Sequence, residues 1–142
     1  MNLDELQQAA EKDLKIDDTE LDIESLNTPI IHAKYLKHYS TYSLMLTKAQ
    51  SEYSSLYKRK WVFYTGKADP EEYKEKNFEL KVLRQDVGTF IEADEEIVKQ
   101  QQKVSYLKIV CHYLENTLKQ VNNRGFQIKN AIDWKRFTEG SM

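Results

Sequence analysis

Three consecutive cations, Lys58, Arg59 and Lys60, stand among four aromatic residues, Tyr57, Trp61, Phe63 and Tyr64, in a stretch that begins at Leu56 and stops at Thr65-Gly66. Ammonium and guanidinium groups neutralise phosphates, while aromatic rings either stack on bases or close a helical core. The composition therefore fits both a polyanion-binding surface and the end of a packed bundle. Other chemistry is poorly served. His32, His38 and His112 lie at no metal-ligand spacing, and Cys111 and His112, as neighbours, would point about 100° apart on a helix. The chain carries no Gly-rich phosphate loop, nucleophile elbow or zinc-protease helix motif. Glu71-Glu72 and Glu95-Glu96 are the acids of helix starts, where carboxylates meet the positive end of the dipole. No metal, no cofactor and no catalytic activity are expected.

The element that must position the cations is a long helix. Asn27-Thr28-Pro29 is a start signal, with Thr28 able to cap exposed amides and Pro29 suited to the first turn. From there to about Tyr64 no Gly and no further Pro intervenes, and Ile31, Tyr35, His38, Tyr42, Met45, Ala49, Tyr53, Leu56 and Phe63 recur in alternating steps of mostly four and three. That is the 3.5-residue repeat of a helix lying along partner helices, in a bundle or coiled coil. Such a helix runs roughly 50 Å. Tyr35, Tyr42 and Tyr53 are read as packing residues, whereas Trp61, Phe63 and Tyr64, beside the cations, stay open between core and reachable rings. Lys37, Lys48 and Arg59 follow one another at intervals of 11 residues, which is three turns to within about 20°, so they form a line down one side. Lys34 and Lys58 flank that line. Lys60 instead falls on the apolar seam, where a charge must snorkel past the core, pair with an acid or face a ligand.

Elsewhere the pattern is also helical. Leu3, Leu6 and Ala10 mark a short amphipathic helix, and Leu21 and Leu26 a second short run on an acidic background. Asp69-Pro70-Glu71-Glu72 opens a helix carrying Tyr73, Phe78, Leu80 and Leu83, which fades at Gln85 to Thr89, with Phe90-Ile91 extended. Asp94-Glu95-Glu96 opens another, with a wide apolar face from Ile97 to Val121 and a C-cap expected at Asn122-Asn123-Arg124-Gly125. Phe126, Ile128, Ile132, Trp134 and Phe137 then crowd onto a short terminal helix and read as residues that join subunits. The expected division within one helical domain is therefore short acidic helices over 1–27, a long basic helix over 28–66, a helical pair over 69–123 and an assembly helix over 124–142.

Composition agrees with an all-α long-helix bundle. With 142 residues, 4 Gly and 2 Pro, the chain is one domain in length and poor in turn formers. A single cysteine, no secretory signal and no apolar run near the ~20 residues of a membrane span lead to the expectation of a soluble, reducing, cytoplasmic setting without membrane contact. The net charge of −2 conceals strong segregation: residues 1–33 carry 9 acids and 2 bases, whereas residues 34–67 carry 1 acid and 7 bases. Local field, not net charge, steers a polyanion to a surface. A basic helix that merely neutralises acidic neighbours explains the same numbers, so an assembly or adaptor protein without DNA binding is the rival reading.

Several blocks resemble a known family. Leu3-Asp4-Glu5-Leu6-Gln7, Asp13-Leu14 and Ile16-Asp17 with Thr19 and Leu21, Lys58 and Lys60 before Tyr64-Thr65-Gly66, and Arg124-Gly125-Phe126-Gln127-Ile128-Lys129 with Asp133 and Phe137 before Gly140 resemble the UvsY recombination mediators of T-even-like bacteriophages. The resemblance implies an accessory protein without enzymatic activity. It also implies a ring-like homo-oligomer that binds single-stranded DNA and helps load a RecA-like recombinase onto DNA coated by single-strand-binding protein, in the host cytoplasm. The family's Lys-x-Arg element falls on Lys58 and Lys60, the second keeping charge but losing the planar fork, with Arg59 as an added cation. Lys58, Arg59 and Lys60, extended by Lys48, Lys37 and Lys67, are the expected DNA-binding residues.

Overall fold

A computed structural model describes residues 1–140; the last two residues of the expected 124–142 assembly segment lie outside them. All regular structure among the described residues is helical: α1 (Leu3–Leu14), α2 (Leu21–Tyr64), α3 (Pro70–Glu75), α4 (Val87–Ala93) after a 3-10 turn at Arg84–Asp86, and α5 (Glu95–Thr138). The all-α expectation holds. No helix among the described residues is long and apolar enough to cross a membrane.

The chain folds as two compact units, one from Met1–Ser43 with the chain from Ile109 on, the other from Leu44–Lys108. In the first, α1 is capped by Asn2, whose side chain accepts the Glu5 amide at 2.8 Å. Leu6 and Ala10 are buried. Here α2 and α5 run antiparallel: Tyr39 donates to Glu115 at 2.9 Å, Ser43 lies 4.0 Å from Cys111, and Arg124 reaches Glu24 and Thr28. Lys34 and Tyr35 both hold Asp13, at 2.6 and 2.8 Å. Burial alone would raise the Asp13 carboxyl, but these two hydrogen bonds outweigh it and hold it below its usual range.

The buried seam of α2 is Tyr35, Tyr42, Ala49, Leu56 and Phe63, a strict seven-residue repeat, and α5 answers with Leu107, Leu114, Val121 and Ile128 at the same interval. Helix α2 nevertheless begins at Leu21 rather than Pro29, which lies inside it. Pro29 has no amide to give the carbonyl four residues back. Beside that gap Thr28 caps nothing; its hydroxyl donates to the Glu24 carbonyl at 3.3 Å, and Arg124 donates to the same oxygen. The expected stop at Asn122 to Gly125 is also absent, since α5 runs through it. Arg124 is buried, its guanidinium 3.2 Å from the Glu24 carboxylate and 2.9 Å from the Thr28 hydroxyl, so this turn is held by tertiary contacts where local preference favours an end.

In the second unit, α3 is far shorter than the expected run to Leu83. It ends in a Schellman turn at Asn77, which has φ +49°, with the Phe78 amide donating to the Tyr73 carbonyl at 3.0 Å. That reversal lays Phe78 against Phe63 and Tyr64, with centroids 5.1 and 5.5 Å apart. Phe90-Ile91 is helical rather than extended, because α4 buries Val87 and Ile91 against Leu56 and Ile97. A stretch of weak helix formers is helical here through packing, not propensity.

Candidate nucleic-acid interface

The C-terminal end of α2 closes on a second Schellman turn. Gly66, at φ +79°, donates to the Phe63 carbonyl at 3.1 Å, and Lys67 donates to the Val62 carbonyl at 3.0 Å. Only a residue tolerant of the left-handed region suits this position, and the turn reverses the chain so that the Lys67 ammonium lies 4.8 Å from the centre of the Trp61 ring. Tyr73 locks the reversal by donating to the Phe63 carbonyl at 2.6 Å and accepting the Ala68 amide at 3.1 Å.

Lys58, Arg59 and Lys67 are exposed and line one cleft of about 580 Å³, together with the carboxylates Asp69 and Glu72. Three cations against two acids leave the cleft cationic by one charge, and Glu72 is already engaged with Lys76 at 3.3 Å. Among the described residues none of Lys37, Lys48, Lys58, Arg59 and Lys67 forms an ion pair. Their charges are open to a polyanion. Lys48, also exposed, lies on the same unit about 15 Å back along α2, and Lys37 belongs to the other unit.

Lys60 does not join them. At 100° per residue it faces 160° away from Lys58, and it is 5% exposed, with its ammonium 3.2 Å from Asp94 and 3.5 Å from Glu96. Of the three fates open to a charge on the seam, pairing with an acid is the one found. Asp94 also accepts the Tyr64 hydroxyl at 2.7 Å and the Glu96 amide at 2.9 Å, so it caps α5 while tying it to α2. Burial would raise this carboxyl; the hydrogen bonds from Tyr64 and Lys60 override it and hold it below the usual carboxylate range. The Tyr64 hydroxyl is pushed far above its ordinary range, first by burial and then by the Asp94 carboxylate.

The aromatic residues divide as well. Phe63 is buried, stacked on Tyr73 with Phe78 tilted against it, Tyr64 is committed to Asp94, and Trp61 alone of the three is exposed, at 38%. Trp61, Thr65, Lys67, Val82, Arg84 and Val87 line a further cleft of about 230 Å³. Nothing in the sequence pattern singled out Arg84, which reaches this cleft from the turn before α4. The terminal apolar residues are equally mixed: Ile128 is buried and Ile132 half-buried, while Phe126, Trp134 and Phe137 are 70%, 66% and 76% exposed. Ile128 is therefore a residue of its own unit's core, the seven-residue successor of Val121.

Taken together, the chain is an all-α protein built on two 44-residue helices, with an open cationic cleft at the end of the first. A family model described as "Recombination, repair and ssDNA binding protein UvsY" matches residues 9–141, and the chain belongs to the UvsY family. It is 26% identical over 140 residues to the recombination protein uvsY of Enterobacteria phage T4, covering 99% of both chains. Crystal structures of the bacteriophage T4 recombination mediator protein UvsY superpose with a TM-score of 0.86 at 25% identity, covering 98% of each chain, and of 0.84 at 24% identity, covering 94% of this chain and 98% of that one.

Proposed function

We propose that this chain is a non-enzymatic recombination mediator. It binds single-stranded DNA and helps load a RecA-like recombinase onto DNA coated by single-strand-binding protein, working as a ring-like homo-oligomer. The observation that carries the reading is the cleft at the end of α2, where Lys58, Arg59 and Lys67 are exposed and, among the described residues, form no ion pair, in a member of the UvsY family. Lys48 and Lys37 extend the supply of open cations along α2, and Lys60 is assigned to holding α5 instead of to DNA. Phosphate contacts of this kind position a strand without reading its sequence. The acidic first quarter of the chain, net −7 over residues 1–33, is the surface assigned to protein partners. Phe126, Trp134 and Phe137, exposed on α5, are the assembly residues. In a closed assembly each subunit repeats the cationic cleft, and linked weak contacts along one strand add into firm binding.

A salt titration of binding to a labelled single-stranded oligonucleotide tests this. Log affinity falls against log salt with a slope near −0.7 per phosphate neutralised, and Lys58→Ala with Arg59→Ala lowers both the affinity and the slope while leaving the thermal melt in place. A flat salt response, or an oligonucleotide left unbound, favours the adaptor reading and overturns this one.

A further inference from the structure

The geometry points to a nucleobase pocket at Trp61, beside the phosphate-binding cleft and sharing Lys67 with it. This rests on the single-stranded DNA reading and deepens it. The two clefts lie side by side at the end of α2, one with Lys58 and Arg59, the other with Trp61 and Arg84, and Lys67 lines both. A nucleotide has the same two parts, an anionic phosphate and a flat ring joined through a sugar. The Trp61 indole is the largest exposed ring of the aromatic cluster, whereas Phe63 is buried and Tyr64 is spent on Asp94. Its companion is the Lys67 ammonium, 4.8 Å from the ring centre. An ammonium over an exposed ring is a weak occupant, and a stacked base is a stronger one that frees the cation for phosphate.

The size and lining of the pocket define its ligand. About 230 Å³ is below the range of roughly 300–1,000 Å³ that holds a drug-sized molecule, so one heterocycle fits and a whole nucleotide does not. Val82 and Val87 supply an apolar wall, and Arg84, which forms no ion pair among the described residues, offers a second planar cation for stacking or for the next phosphate. No carboxylate lines this cleft. The Thr65 hydroxyl already donates to the Trp61 carbonyl at 2.7 Å, and the remaining donors, Lys67 and Arg84, are long flexible cations for which phosphate competes, so no fixed donor reads a base edge. The pocket therefore takes any base of a single strand and does not accept a base held in a duplex stack.

The experiment uses the full chain, whose two indoles are Trp61 and Trp134, with Trp61→Phe as the reference that reports Trp134 emission alone, and titrates both with oligothymidylate and with an abasic deoxyribose-phosphate oligomer of equal length. Expected are quenching of Trp61 emission by oligothymidylate but not by the abasic strand, tighter binding of oligothymidylate, and a loss of about tenfold in its affinity on Trp61→Ala with abasic binding unchanged within about twofold. Trp61→Phe retains most of the affinity and guards against a folding defect in the alanine variant. Equal loss on both strands, or no loss and no quenching, overturns the pocket while the DNA reading stands. Should the parent protein bind neither strand, the DNA reading fails and takes the pocket with it.

Discussion

A lysine that is 5% exposed, with one carboxylate at 3.2 Å and a tyrosine hydroxyl on the same carboxylate, holds a fold together through charge. Lys60, Asp94 and Tyr64 form such a set in one unit, and Lys34, Asp13 and Tyr35 form its counterpart in the other. The two differ in burial: Lys34 is well exposed, so its pair adds little, whereas removing one member of the buried pair leaves the other charge stranded. Lys60→Met, which keeps the aliphatic stem, is expected to lower unfolding free energy by about 3 kcal/mol at pH 7. The penalty has a pH signature. Asp94 is held below its unfolded value, so its contribution is complete above about pH 4 and is lost as pH falls through the lowered native value. A protonated Asp94 needs no cation. Urea unfolding of parent and variant from pH 7 down to about pH 3 should therefore show the two curves converging at the acid end. A gap that stays constant with pH would mean that Lys60 acts through packing alone.

Among the helices, the seam was legible because burial repeats every seven residues and the sequence keeps that register from Tyr35 to Phe63. Helix ends were not. Pro29 and Asn122-Asn123-Arg124-Gly125 carry the local chemistry of a start and a stop, yet both lie inside helices joined to each other by Arg124, Glu24 and Thr28. Contacts some 100 residues apart in sequence decide them, and no local signal reports such a contact. The register did hold a clue, since Arg124 follows Val110 and Thr117 at intervals of seven, all three buried. The same logic separates the cations of the site. Exposure of Lys58 and Arg59 follows from helix phase, but the partner of Lys60 sits on another helix that the sequence read only as a helix start. Lys67 was legible in the sequence, though its seat against the Trp61 ring comes from the Gly66 turn, and Arg84 lies in a turn that no cation pattern marked. The helical state of Gly125 is directly testable. A Cβ there would meet nothing within 4 Å, and alanine is better than glycine inside a helix by about 1 kcal/mol. Gly125→Ala should raise the melting temperature by several degrees; a marked fall would indicate that the turn is the left-handed cap its sequence suggests.

At the scale of the whole molecule, the unexplained surface is apolar. Phe126, Trp134 and Phe137 are each about two-thirds or more exposed on the last part of α5, Trp134 and Phe137 with ring centres 5.9 Å apart, and Leu26 and Ile30 of the same unit are 74% and 66% exposed. Large apolar side chains this exposed in one unit are candidates for a subunit contact. Magnitudes say how far this goes. Burying the three aromatic residues contributes about 5–9 kcal/mol, while association opposes with some 4–15 kcal/mol of lost freedom. On these ranges the aromatic residues alone run from favourable to clearly unfavourable, and covering further apolar surface such as Leu26 and Ile30 moves the balance toward association. Losing the aromatic share should therefore be enough to dissociate the proposed assembly. Phe126, Trp134 and Phe137 changed together to Ser are expected to reduce the particle mass in sedimentation equilibrium toward the 16.8 kDa of one chain, with far-ultraviolet helicity retained because none of the three is in a core. Ile128→Ser is the contrasting change: it opens a buried position and should lose helicity before any effect on assembly can be read. The triple variant should also bind a long single strand at least a hundredfold more weakly while keeping its affinity for an oligonucleotide that spans one cleft, since avidity and not the cleft has been removed. An unchanged mass would move the subunit contact elsewhere, and an equal loss on short and long strands would place the aromatic residues at the DNA instead.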